Sequence, residues 1–150
     1  MTVSFFAVDS SAIYGEDAAP QVLTFNVTGA TDKSIPGSNA RVTGLITSYG
    51  LSLSSSGNKL TISGLTTGTV EVVKSGFKNL TVECRKNSTY SWEDYHEYGN
   101  VYYDFSASSV STTLTVTKGF QYRVTCKHYA KKNLLLVETI ENSSNIVNVY

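Results

Sequence analysis

Covalent catalysis needs a serine or cysteine nucleophile, a histidine base and an acid that orients it. The chain offers two histidines, His96 and His128, and two cysteines, Cys84 and Cys126. No Gly-x-Ser-x-Gly turn is present to lift a serine above a sheet. Cys84 closes the alternating triplet Leu80-Val82-Cys84, and Cys126 closes Tyr122-Val124-Cys126. Both therefore face inward, where a thiol is usually inert packing. His128 continues the second triplet and reads as a partly buried structural histidine. No enzyme activity is expected, and no cofactor.

Metal chemistry has one candidate region. Glu93, Asp94, His96, Glu97 and Asp104 crowd around one hairpin. On a strand Asp94 and His96 share a face, with Glu93 and Glu97 opposite. Two ligands fall short of the three or four that a site requires. No Asp-x-Asp-x-Asp loop gathers oxygens for calcium. No metal is expected. The same carboxylates suggest glycoside hydrolysis only by their nearness, since sequence does not give their separation.

The aromatics are more informative. Tyr90, Trp92, Tyr95, Tyr98, Tyr102 and Tyr103 fall within fourteen residues. Flat rings on a rigid sheet can stack on sugars. They are also good strand formers and sit well at a sandwich rim without any ligand. Alternation puts Tyr90, Trp92 and Tyr98 on one face and Tyr95 on the other, so one set points inward.

The elements that would hold these residues are strands. Helical periodicity is almost absent, while period-two alternation recurs between Gly, Ser, Asn and Asp clusters. Strands are expected over 21–27, 42–54, 59–65, 70–73, 77–86, 90–98, 101–105, 110–117, 120–130, 134–140 and 146–150. Ser56-Gly57-Asn58, Lys118-Gly119 and Lys132-Asn133 read as tight turns. So many short strands bury their apolar faces as two packed sheets. The expected fold is all-β, an antiparallel two-sheet β-sandwich, immunoglobulin-like in general architecture. Leu60, Ile62, Leu80, Val82, Leu114, Val116, Tyr122, Val124 and Leu135 are the expected core.

The chain divides into residues 1–12, 13–40 and 41–150. The first is a signal-peptide remnant by its pattern: the apolar run Thr2 to Val8, then the small residues Ser10-Ser11-Ala12. A short N-terminal strand is the alternative. The second is an arm with one strand and a turn-rich linker. The third is the sandwich.

The 150 residues are 41% hydrophobic and only 16% charged, and twelve basic residues balance twelve acidic ones. A core can form, and Ser, Thr, Asn and Gly fill the place of charges, as suits an extracellular β-protein. Zero net charge disfavours nucleic acid and anionic membranes as partners. No apolar run is long enough for a membrane helix, so no integral membrane contact is expected. The expected location is secreted or at the cell surface. An oxidising compartment permits a Cys84–Cys126 bridge. That bridge is expected, with two buried thiols as the alternative. Asn26-Val-Thr, Asn79-Leu-Thr, Asn87-Ser-Thr and Asn142-Ser-Ser match the N-glycosylation acceptor pattern, but such matches arise by chance in a chain rich in Asn, Ser and Thr, and in a bacterial protein they usually mean nothing.

Two stretches carry a family resemblance. One runs from Ile46-Thr-Ser-Tyr49 through Leu51-Ser-Leu53 to Ser56-Gly-Asn-Lys-Leu-Thr-Ile-Ser63. The other is Gly119-Phe-Gln-Tyr-Arg-Val-Thr125 with His128-Tyr-Ala-Lys-Lys132. Over about residues 41–140 they resemble small secreted β-sandwich domains of unknown function from Gram-positive bacteria. Turn and core residues make up most of these motifs. The resemblance implies secretion and a sandwich, and it implies no activity. The glycine usual in the last turn is replaced here by Lys132-Asn133.

Three functions fit this reading. The first is a non-catalytic extracellular interaction domain with a protein or glycan partner. The second is a carbohydrate-binding module that uses the 90–103 aromatics. The third is a subunit of a surface assembly, whose 21–27 strand completes a neighbour's sheet.

Overall fold

A computed structural model describes residues 44–150 in full, and before them the backbone of three strands, Thr2–Phe6, Val22–Asn26 and Asn39–Ala40. These three are β1, β2 and β3. They are followed by β4 (Ile46–Ser56), β5 (Lys59–Gly68), β6 (Lys74–Arg85), β7 (Glu93–Tyr103), β8 (Ala107–Thr115), β9 (Phe120–Lys131), β10 (Val137–Ser143) and β11 (Val147–Val149). Every pairing is antiparallel. One sheet has the order β1-β2-β8-β5-β4-β3 and the other β10-β9-β6-β7, with β11 also on β9. The fold is an antiparallel two-sheet β-sandwich.

Alternation builds the core between the sheets. Leu51, Leu53, Leu60, Ile62, Val110 and Leu114 come from the first sheet. Phe77, Leu80, Val82, Tyr122 and Val124 come from the second. Each such side chain contributes roughly 1.5–3 kcal/mol by leaving water. A smaller cluster of Ile46, Val72 and Ala130 closes one end.

Several strand boundaries differ from the sequence expectation. Val70 to Val73 is a turn, with Val70 99% exposed. Gly99 does not end a strand. It takes φ +73° inside a continuous β7, beside register shifts against β6. Ser75-Gly76 lies within β6. A Cβ on Gly76 would run into the backbone oxygen of Val101. The expected core residue Leu135 is 92% exposed, because β10 begins only at Val137. The Asn133 carboxamide holds Leu134 to Leu136 as a turn, accepting from the Leu135 and Leu136 amides at 2.9 and 3.0 Å.

Strands from residues 1–12 and from the segment expected as an arm, 13–40, contribute to the first sheet. β1 pairs with β2 from Thr2↔Asn26 to Phe6↔Val22, and β2 meets β8 at Thr24↔Ser111. The turn-rich linker and residues 7–12 lie outside the described residues.

Candidate functional site

The two cysteines are free and buried, which corrects the expected bridge. Both face the core from adjacent strands of one sheet. Cys84 pairs across to Tyr122, however, so Cys126 stands four residues further along β9. At ~3.3 Å per residue that offset is about 13 Å, against the ~7 Å limit for a disulfide. Burial, with Glu93 nearby, pushes the Cys84 thiol up to about 11, and burial pushes Cys126 up to about 12. Neither supplies a thiolate near neutrality.

His128 is fully buried between the rings of Tyr49 and Phe77, at centroid distances of 5.1 and 5.5 Å. The Thr66 hydroxyl donates to the Gly76 carbonyl at 3.0 Å, so its oxygen accepts from His128 Nδ1 at 2.7 Å. Asn142 Nδ2 lies 3.3 Å from Nε2 and donates to it. This chain fixes the neutral Nδ1–H tautomer. Burial lowers the His128 pKa to about 4. The histidine ties the two sheets together.

The acidic hairpin divides at a bulge. Glu83 pairs with Asp94 while its neighbour Val82 pairs with His96, so Tyr95 is the extra residue of β7. Tyr95 and His96 are both buried, and Asp94 is exposed. Asp94 and His96 therefore do not share a face. Among the described residues, no three His, Cys, Asp or Glu side chains gather as a metal site.

The bulges also redistribute the six aromatics. Tyr95 and Tyr103 are core residues, with Tyr95 edge-on to Tyr122 at 5.3 Å. Tyr98 packs against the core and beside His96. Burial pushes its hydroxyl up to about 12. Tyr90 is exposed in the β6–β7 loop. Tyr102 meets Tyr129 at 4.7 Å. Both stand in the cross-strand row of Gly76. The six therefore form no single platform.

Trp92 has partners that sequence reasoning did not assign. The guanidinium carbons of Arg85 and Arg123 lie over its ring, 4.3 and 4.4 Å from the centroid. Each is oriented by a further contact. Arg85 Nε donates to Gln121 Oε1 at 2.8 Å, and Arg123 forms an ion pair with Glu83. The signal was present: Arg85 and Arg123 alternate with core residues on β6 and β9, so both must face outward.

Glu83 links this stack to a concavity of about 580 Å3 on the outer face of the five-stranded sheet. Asn79, Glu83, Thr125, Lys127, Glu141 and Ser143 line it, where β6 shifts register against β9. Asn79 adopts φ +51° there, and its amide donates to Asn100 Oδ1 at 2.9 Å. Lys127 pairs with Glu141 at 2.8 Å and holds that carboxyl below its ordinary range by hydrogen bond and charge. The wall thus offers carboxylates, an ammonium, an amide and hydroxyls.

An apolar end lies elsewhere. The β5–β6, β7–β8 and β9–β10 loops emerge together there, joined by Val73 N to Lys131 O and Gly68 N to Ser106 O. They expose Val70, Phe105, Leu134 and Leu135.

No family model, curated protein or solved structure matches the chain.

Proposed function

We propose that the protein is a non-catalytic interaction domain acting outside the cell or at its surface, with the outer face of the five-stranded sheet as its recognition surface. The observation that carries this reading is the polar concavity of about 580 Å3 beside the Arg85–Trp92–Arg123 stack. Its side chains project from paired strands, so little order has to be gained on binding. The state of the two thiols and of His128 supports a non-catalytic role. Both thiols are buried with raised pKa, and both ring nitrogens of His128 are engaged within the core. The extracellular assignment rests on composition and on the secreted domains that the chain resembles.

A carbohydrate ligand is the second reading, favoured by the chemistry of the wall. Carboxylate, amide and hydroxyl groups match sugar hydroxyls. Aromatic rings flank them on the same face, Trp92 over Arg123 and Tyr102 against Tyr129. The six residue steps along β9 from Arg123 to Tyr129 span about 20 Å at ~3.3 Å each. Tyr95 and Tyr103 take no part, since both are buried. Strand addition finds less support, because β2 pairs with β8 of its own chain.

The test is a binding screen of the intact protein against glycans and candidate surface proteins, repeated with Trp92→Ala and Glu83→Gln. Glycan binding lost in both variants supports the second reading, and protein binding lost in both supports the first. A ligand whose affinity neither substitution changes overturns the placement on this face. Polysaccharide turnover abolished by substituting Asp94 or Glu97 overturns the non-catalytic assignment.

A further inference from the structure

The four acceptor-pattern asparagines differ sharply in their surroundings. Asn142 donates its Nδ2 to the buried His128 ring, so the nitrogen that would carry a sugar is engaged in the core network. Asn79 is exposed, but the next residue, Leu80, is fully buried, and both lie within β6. An enzyme that must lift the tripeptide off the sheet into its own active site would have to pull Leu80 from the core. Asn26 has no described side chain.

Asn87-Ser88-Thr89 is different. Residues 86–91 are all exposed and lie in the loop between β6 and β7. Asn87 Oδ1 accepts from the Thr89 amide at 3.0 Å and from the Thr89 hydroxyl at 2.6 Å. The third residue of the motif thus already holds the asparagine carboxamide by its oxygen. Nδ2 is left as the free end of the side chain. The loop is closed at its base by Arg85 against Trp92, and within it the Tyr90 amide donates to the Asn87 carbonyl at 3.1 Å.

We infer that Asn87 is a built N-glycosylation acceptor, the one of the four motifs that the folded chain presents to a glycosyl donor. The donor class is a lipid-linked oligosaccharyl diphosphate. Nδ2 attacks the anomeric carbon, and a C–N bond forms as the bond from that carbon to the diphosphate oxygen breaks. The lipid diphosphate leaves with the electron pair, and the proton lost from Nδ2 passes to a base of the transferase. No oxidant or reductant is needed. The two donors on Oδ1 stabilise the oxygen charge that develops as that proton departs. A glycan here would be bulky and solvated, at the edge of the sheet face and beside Trp92.

Acceptor competence belongs to the folded chain itself. Occupancy in its source rests on the extracellular reading above. The test separates the two. The folded, full-length Asn26→Gln protein is incubated with an oligosaccharyltransferase of Asn-x-Ser/Thr specificity and a lipid-linked oligosaccharide, then mapped by peptide mass spectrometry. The expected result is one glycan per chain on Asn87, lost in Asn87→Gln and Thr89→Ala and retained in Thr89→Ser. Circular dichroism unchanged in these loop variants shows that the loss is local. Modification of Asn79 or Asn142 in the folded protein overturns the inference. So does an unmodified Asn87 when a peptide spanning 85–91 is modified under the same conditions. A competent Asn87 that is bare in material from the source leaves the acceptor assignment standing and shows that the source does not use it.

Discussion

The Asn145 carboxamide pairs with the Leu53 backbone as a strand residue would: Oδ1 accepts from Leu53 N at 2.9 Å, and Nδ2 donates to Leu53 O at 2.8 Å. Leu53 lies on β4 of one sheet, and Asn145 lies between β10 and β11 of the other. The side chain therefore satisfies part of the edge of β4 and ties the layers together. Asn145→Ala removes both bonds and leaves the two Leu53 groups without a protein partner. The expected loss is about 1–3 kcal/mol, read from the shift in urea midpoint. Asn145→Asp keeps an acceptor but loses the donor, and is expected to destabilise as well.

His128 sets an acid limit on stability. Its folded pKa, about 4, lies below the ordinary value of 6.5. The unfolded chain therefore takes up a proton at a higher pH than the folded one. The contribution is complete above about pH 6.5 and is lost as the pH falls from there through about 4. The gap from 6.5 to about 4 corresponds to on the order of 3 kcal/mol at ~1.4 kcal/mol per unit. Unfolding free energies measured between pH 7 and 4 should decline with this slope. His128→Gln should flatten the decline and lower stability at pH 7, because the ring fills space between Tyr49 and Phe77.

The cysteines should titrate as thiols. Unfolded, unreduced protein is expected to give two thiols per chain, and the native protein almost none over minutes at pH 7.5. Both groups are buried and titrate far above that pH. No free thiol in the unfolded chain would show a bridge and contradict the four-residue offset on β9.

Leu135 and Leu114 make a paired test of the core boundary. Leu135 is 92% exposed and Leu114 1%. Leu135→Ser should change stability by no more than about 0.5 kcal/mol. Leu114→Ala should cost about 2–5 kcal/mol through lost burial and the cavity left behind. Thermal melts of the two variants side by side read the contrast directly.

Sequence by itself determined what repeats every two residues. Alternation on β5, β6, β8 with the residues that follow it, and β9 placed Leu60, Ile62, Leu80, Val82, Leu114, Val116, Tyr122 and Val124 inside, and all eight are buried. The inward direction of Cys84 and Cys126 was legible for the same reason. Tertiary structure decided whatever depends on register between strands distant in the chain. The cysteines face one core yet stand four residues apart along β9, because β6 and β9 pair with Cys84 opposite Tyr122. A bulge at Tyr95 turns both Tyr95 and His96 inward, which breaks the alternation that put Asp94 and His96 on one face. Trp92 lies over Arg85 and Arg123, and two of its three members come from strands 38 residues apart in sequence, brought side by side only by sheet order. Leu135 lies in an apolar run that reads as a strand, but the Asn133 side chain captures two backbone amides and makes the run a turn. Period-two patterning records which face a side chain prefers. It carries no information about the partner strand, and the partner strand sets the distances on which a bridge, a stack or a binding face depends.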